Sequence, residues 1–317
     1  MKTVMKKSRS PFSTILLATD FSVSLEASLR AAFRLCQTSD ATLEILHVRK
    51  SIATKNGNKS VQVEAEQLEK KRLDELHLLE LRARQAGVRC TSTLETGCAS
   101  ERVIQAIQRK EIDLAIMGTS EPRGSKRLVF GPTAEAVMLR ASCPIMTIGP
   151  VASDLVKTSA SKGPVVFATD FHSVTRDAIR VAVSYCRSAG LQLHCLHVLP
   201  RALQSSDGNQ ALPQILTSAL RHLAATCSPS VELPICCVTY GSEISNSIVD
   251  YAKKQQASLI VLGVRRSSMF TGDDSLPIVF RIITEAPCPV VTIVCDAERD
   301  DPSVGTIDAN LSSRYLQ

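Results

Sequence analysis

The stretch Thr14-Ile15-Leu16-Leu17-Ala18-Thr19-Asp20-Phe21 decides the fold, because its last four residues return 150 positions later as Ala168-Thr169-Asp170-Phe171. An apolar run closed by a polar Thr-Asp pair reads as a buried strand ending at a loop. The same spacing joins Cys36 to Cys186 and Leu46-His47-Val48 to Leu196-His197-Val198. Further along, Gly118 answers to Gly263 and Cys143-Pro144 to Cys288-Pro289, now 145 positions apart. The lost residues therefore fall in the connections between Val48 and Gly118. A unit this long exceeds a solenoid repeat and indicates a duplicated domain. The length of 317 residues agrees, since it corresponds to about two domains.

Within each copy, short apolar runs alternate with amphipathic stretches. In the first, Thr14 to Ala18 reads as strand one, and Leu25 to Leu35 as a helix that Ser22 or Ser24 can cap. Thr42 to Val48 is strand two. Gln62 to Ala86 is a long helix with Leu68, Leu73, Leu76, Leu79 and Ala83 on one side, stopped by Gly87. Val88 to Leu94 makes strand three, Glu101 to Gln108 a helix, Leu114 to Met117 strand four, Thr133 to Arg140 a helix and Pro144 to Ile148 strand five. The second copy repeats the order with strands at Val165 to Ala168, Leu193 to Val198, Leu233 to Thr239, Leu259 to Leu262 and Val290 to Val294. Buried strands alternating with helices predict an α/β chain of two tandem doubly wound five-stranded parallel-sheet domains. Expected boundaries are a basic extension 1–12, a first domain 13–150, a linker 151–163, a second domain 164–295 and a polar tail 296–317. Ligands in such sheets bind beyond the carboxyl ends of the strands, where Asp20, Gly118, Asp170 and Gly263 fall.

Composition narrows the function classes. With 44% hydrophobic and 21% charged residues, each half can bury a core. No apolar run reaches the ~20 residues a bilayer crossing needs. Lys2, Lys6, Lys7 and Arg9 are followed by no apolar segment, so a secretory signal is not expected. A net charge of +6 permits contact with acidic partners, but the basic residues are scattered, aromatics are 4% and Trp is absent. That is poor material for stacking bases, so no nucleic-acid partner is expected. Eleven cysteines are an odd number without a CxxC pair. Cys36, Cys143, Cys186, Cys195, Cys236, Cys237 and Cys288 lie in apolar runs and read as small buried hydrophobes of a cytoplasmic protein.

The ordered set of pieces, present twice, resembles the universal stress protein family in a tandem two-domain form. It comprises the strand-one ends Asp20 and Asp170, and the strand-two ends His47-Val48 and His197-Val198. Thr96-Gly97 and Tyr240-Gly241 come next, then Gly118 and Gly263, and last Ser142-Cys143-Pro144-Ile145 and Pro287-Cys288-Pro289-Val290. The resemblance implies a Rossmann-like, adenine-nucleotide alpha-hydrolase-like fold. It also implies, for the nucleotide-binding branch, a Gly-x2-Gly-x9-Gly-Ser/Thr loop whose glycines admit phosphates to the backbone. In copy one this loop reads Gly118, Glu121, Gly131 and Pro132, followed by Thr133, with Ser125, Lys126 and Arg127 between. The carryover places Ala18, Thr19 and Asp20 by base, ribose or metal, Val48 and Met117 against adenine, and Gly118, Gly131 and Thr133 at phosphate. The implied cofactor is ATP, with Mg²⁺ or Mn²⁺ when bound. Copy two reads Gly263, Arg266, Leu276, Pro277 and Ile278, where no triphosphate site is expected, although Arg265 and Arg266 can attract an anion. The residues themselves leave a second account open: Gly118 and Gly131 as loop hinges, and Asp20 as a cap or turn residue.

Other constellations carry less. Gly118 to Arg127 misses the P-loop spacing, with five residues between glycines and Ser before Lys. His194 and His197 are three apart on a strand, point to opposite faces and cannot share a metal ion. Cys143 and Cys288 precede prolines, but no activating neighbour is legible for any thiol. His172 reads as a solvated loop residue. No nucleophile elbow, zincin motif or plausible Ser/His/Asp order is present, so no catalytic residue is expected. Three functions remain: a stress-response binding and signalling module with ATP in the first domain alone, a slow ATPase or phosphotransfer enzyme, and a nucleotide-free protein-interaction scaffold. The implied assembly is an intramolecular pseudo-dimer of the two domains.

Overall fold

Ile15 and Leu17 turn to one face of a sheet and Leu16 to the other, and all three are buried, as a central strand covered on both sides requires. The computed structural model describes residues 12–50, 59–119, 131–156, 162–172, 175–204, 211–227, 233–266 and 277–295. Its first half runs β1 (Thr14–Thr19), α1 (Leu25–Ser39), β2 (Thr42–Arg49), α2 (Lys59–Gln85), β3 (Cys90–Thr96), α3 (Ala99–Arg109), β4 (Leu114–Gly118), α4 (Pro132–Arg140), β5 (Ile145–Ile148) and α5 (Pro150–Val156). The second half runs β6 (Val165–Ala168), α6 (Thr175–Ala189), β7 (Leu193–Pro200), α7 (Ala211–Cys227), β8 (Ile235–Gly241), α8 (Ile244–Lys254), β9 (Leu259–Arg265), α9 (Ile278–Glu285) and β10 (Val290–Cys295).

The chain is thus α/β with two repeated units. Ten strands form one sheet in the order β3-β2-β1-β4-β5-β10-β9-β6-β7-β8, so each half carries the same order read from opposite ends. Every pairing within a half is parallel, and the halves meet where β10 pairs β5 antiparallel, with Val291 opposite Met146. Thr292 Oγ1 donates to the Ile145 carbonyl across that seam (3.4 Å). Gly149 follows β5, and a Cβ there would strike the backbone carbonyl of Ile283 on α9. Only glycine permits so close an approach of the second half's helix.

Two expectations need correction. Residues 151–156, expected within an aperiodic linker, belong to α5 (Pro150–Val156), whose Ala152 and Ser153 are buried; α5 packs between α1 and α9. On α2, Leu76, Leu79 and Ala83 join the core, but Leu68 and Leu73 are about half exposed. A helix of 27 residues is roughly 40 Å long, whereas a seven-residue strand spans roughly 23 Å, so the first turns of α2 overshoot the sheet. Gly87 does end α2, in the left-handed conformation (φ 73°). Strand three begins later than expected, at Cys90, and the second half's third strand at Ile235. The extension to residue 11, the tail from 296, and Glu121, Ser125, Lys126, Arg127 and Leu276 lie outside the described residues.

Candidate functional site

The strand-end turn is built the same way in both copies. Thr19 Oγ1 accepts the Phe21 amide (3.0 Å), and Asp20 Oδ1 accepts the Ser22 amide (3.0 Å). In the second copy Thr169 Oγ1 accepts the Phe171 amide (2.9 Å), and Asp170 Oδ1 the His172 amide (3.3 Å). These side-chain acceptors fold the chain back into a left-handed residue, with φ 58° at Phe21 and 65° at Phe171. Such a conformation costs a bulky residue about 1–3 kcal/mol, and contacts must hold it. His47 supplies one, edge-on to Phe21 at 4.8 Å, while its Nδ1–H donates to the Thr19 carbonyl (2.7 Å). His197 packs on Phe171 in a tilted arrangement at 5.0 Å, and its Nδ1–H donates to the Thr169 carbonyl at 2.8 Å. In the first copy the Arg72 guanidinium also lies over the Phe21 ring, 4.8 Å from its centre.

Beyond this turn, between the carboxyl ends of β1 and β4, lies a cleft of about 190 Å³. Ala18, Thr19, Asp20, Val48, Met117, Gly118, Gly131 and Thr133 all line it. Residues more than a hundred positions apart are gathered there because β1 lies between β2 and β4, the place where the strand order reverses. The two glycines play different parts. A Cβ at Gly118 would land on Ser24 Oγ, so this glycine lets the start of α1 approach β4. A Cβ at Gly131 would meet nothing within 4 Å among the described residues, and its φ of −63° suits any residue, so its missing side chain keeps the cleft open. Gly131 is also the N-cap of α4 and has no side chain to bond the first-turn amides. Pro132 has no amide proton, and the next amides, of Thr133 and Ala134, lack intrahelical acceptors at the mouth of the cleft.

Ser24 and Ser28 complete the wall. Ser24 occupies the N-cap position of α1, but its hydroxyl makes no cap bond and pairs with Ser22 Oγ (3.0 Å), correcting the expected capping role. Ser28 is 2% exposed, and its Oγ has no hydrogen-bond partner among the described residues. Leaving such a hydroxyl unpaired costs about 1–3 kcal/mol. Asp20 is the single carboxylate among the described residues of the cleft.

The second half carries a cleft in the same place, of about 490 Å³, lined by Ala168, Thr169, Asp170, Val198, Leu262, Gly263 and Arg265 among others. Ile278 stands in it where the first cleft has Thr133, and Ile244, Ile248, Val279 and Ile282 add apolar wall. Arg281 at its edge is paired with Glu243 (3.1 Å). His172 lies against Asp170, Nε2 to Oδ2 3.5 Å.

A model of the universal stress protein family matches residues 11–149 and again 163–293. The chain belongs to the universal stress protein family. A universal stress protein of Methanocaldococcus jannaschii is 24% identical over 151 residues, 47% of this chain and 88% of the relative. The crystal structure of a universal stress protein from Archaeoglobus fulgidus matches 92% of this chain and all of its own, with 18% identity and a TM-score of 0.65. A universal stress protein family protein from Arabidopsis thaliana, solved with AMP bound, is 22% identical over 43% of this chain and 90% of its own, with a TM-score of 0.33.

In this universal stress protein the remaining candidates take structural places. His194 Nδ1 lies 3.1 Å from the Tyr251 hydroxyl on one face, while His197 turns to Thr169 on the other. Cys36, Cys186, Cys195 and Cys288 are buried, but Cys143, Cys236 and Cys237 are only partly so, against expectation. Burial pushes the Cys36, Cys143 and Cys186 thiols up to about 12, and Cys288 higher. Ser24 and Ser28 are the polar cleft residues that sequence reasoning missed: Ser24 read as a cap of α1, and Ser28 as one more residue of that helix. Among the described residues no helix is long and apolar enough to cross a membrane.

Proposed function

We propose that this universal stress protein is a cytoplasmic binding and signalling module that holds one adenine nucleotide in the cleft of its first domain and none in that of its second. The observation that carries the reading is the convergence of Ala18, Thr19, Asp20, Val48, Met117, Gly118, Gly131 and Thr133 on one cleft at a reversal of strand order. The base lies between Val48 and Met117, and the phosphates face the uncapped amides of α4 beside Gly131. Ser28, whose buried hydroxyl has no partner among the described residues, lines the same cleft. A lone carboxylate suits a magnesium or manganese ion held mainly by phosphates, and Asp20 is that carboxylate. At the start of α9, Pro277, Ile278 and Val279 offer phosphate neither a hydroxyl nor a glycine, unlike Gly131 and Thr133 at the start of α4.

We take the two domains as 13–150 and 164–295, paired within one chain through their last strands. The antiparallel β5–β10 ladder and the Gly149–Ile283 contact support this pairing. Phosphoryl transfer needs positioned charge and a base, and the described cleft supplies one carboxylate, so the module is read as a sensor rather than a catalyst. The test is calorimetric titration of the full chain with ATP and AMP, with and without Mg²⁺ or Mn²⁺. The reading expects saturable heat that Gly131→Leu removes. No heat and no thermal shift at millimolar nucleotide would leave the nucleotide-free scaffold. Steady turnover that Asp20→Ala abolishes would make the protein a slow ATPase.

A further inference from the structure

Cys195 on β7 and Cys236 on β8 are register partners in neighbouring parallel strands. Partners on adjacent strands point to the same face and lie about 4.8 Å apart at Cα, within the ~4.4–6.8 Å range a disulfide spans. Cys195 has no exposure, whereas Cys236 is half-buried and forms part of the floor of an open groove of about 510 Å³ between α7 and β8. Arg221 on α7 lines the same groove. The Cys195 thiol stands beside the Cys236 sulfur in register, and this neighbour, with the Arg221 charge, holds the Cys236 thiol below its usual range. The Cys195 thiol is correspondingly pushed up, by the Cys236 sulfur and by burial. Before ionisation the Cys236 thiol faces the Pro234 carbonyl at 3.9 Å. Cys237, the next residue, turns to the opposite face, and burial raises its thiol. Cys98 is exposed and also lowered, but its sulfur meets the Ser100 hydroxyl (3.3 Å), not a second thiol.

We propose that Cys236 and Cys195 form an oxidisable dithiol, a modification site that hydroperoxides convert to a disulfide. One accessible thiolate with a second thiol beside it is the arrangement such oxidation requires. The Cys236 thiolate attacks one oxygen of the hydroperoxide. The O–O bond breaks, leaving the sulfenic acid on Cys236 and an alkoxide that takes up the proton Cys236 had lost. The Cys195 sulfur then attacks the Cys236 sulfur; the S–O bond breaks and hydroxide leaves as water with the Cys195 proton. Two thiols and one hydroperoxide yield one disulfide, one alcohol and one water. The site belongs to the second domain alone. In the first, the equivalent register pair on β2 and β3 is Ile45 and Ser92, which cannot be linked. The proposal is independent of nucleotide binding.

The test treats the reduced full chain with hydrogen peroxide, blocks remaining thiols with iodoacetamide and maps tryptic peptides by mass spectrometry. The expected product is a peptide carrying Cys195 joined to the peptide carrying Cys236, with two hydrogens lost, fragment ions placing the bond on Cys236, and dithiothreitol reversing it. Cys236→Ser should remove the link and slow peroxide consumption about tenfold, as loss of the reactive thiolate predicts. Cys195→Ala should leave Cys236 as a sulfenic acid trapped by dimedone, and Cys237→Ser should change nothing. Because Cys236 is partly exposed, its serine variant folds, and far-ultraviolet circular dichroism checks that it does. A link that persists in Cys236→Ser, or wild-type chain in which Cys98 oxidises while Cys195 and Cys236 stay reduced, would overturn the proposal.

Discussion

At the start of α1, Ser24 and Ser28 line the first cleft; 150 positions on, the sequence has Val174 and Ala178. At the start of α4 the first cleft has Gly131 and Thr133, where the second copy has Leu276 and Ile278. The turn between strand and helix, by contrast, is the same in both, down to the left-handed phenylalanine and the histidine that holds it. A duplicated chain is its own control. The turn that both copies keep is part of the scaffold; the positions at which the copies differ are where their clefts diverge. By this standard His47 and Phe21 form scaffold, while Ser28, Gly131 and Thr133 line a cleft whose counterpart has Ala178, Leu276 and Ile278 at the same positions.

The sharpest way to break the comparison is to make the first cleft imitate the second. Gly131→Leu meets no atom within 4 Å at Cβ, so the variant should fold with unchanged thermal stability. Calorimetry should show ATP affinity down by about a hundredfold, the scale of filling a site sterically. Next comes the seam that makes one copy a partner of the other. Gly149→Val drives a side chain onto the Ile283 carbonyl and should cost about 1–3 kcal/mol in urea denaturation. The corresponding residue 145 positions on is already Val294, so the seam is not symmetric in this respect.

Ser28→Ala separates ligand from fold. Removing a partnerless buried hydroxyl should leave the nucleotide-free protein equally or more stable by thermal unfolding, while ATP binding weakens about tenfold. The mirror change, Ala178→Ser, should gain no binding and lose stability, because Ala178 is fully buried. The smallest effect is electrostatic. Glu26 bonds Arg82 (2.8 Å), which holds its carboxyl below the usual range, and the second copy has Arg176 in its place. Stability from this exposed pair is present above the ordinary carboxylate pKa and fades as pH falls through the lowered one. Glu26→Gln should therefore lose a few tenths of a kcal/mol at pH 7 and nothing at pH 2, measured by urea titration at each pH.

Much of this was legible in the chain because the repeat could be read twice. Ala-Thr-Asp-Phe marked the end of strand one in both copies, and the family loop pointed to Gly118 and Gly131 before any coordinates. Periodicity could not say how far a sheet extends, so Leu68 and Leu73 read as core on a helix that overshoots it. Nor could it find α5, where two small residues, Ala152 and Ser153, bury a short helix against neighbours distant in sequence. Gly118 read as a phosphate glycine, yet its missing Cβ makes room for Ser24, a contact between residues nearly a hundred positions apart. The same limit hid the neighbour of Cys236: Cys195 stands beside it only through strand register.

On the proposed function, one copy binds nucleotide and the other does not. Equilibrium dialysis with ATP counts the sites directly in the wild-type chain, in Gly131→Leu and in Ile278→Glu, which places a carboxylate in the second cleft at a half-exposed position. The account predicts one ATP per chain, lost in Gly131→Leu and kept in Ile278→Glu. Two ATP per chain, or a single site lost in Ile278→Glu and kept in Gly131→Leu, would contradict it.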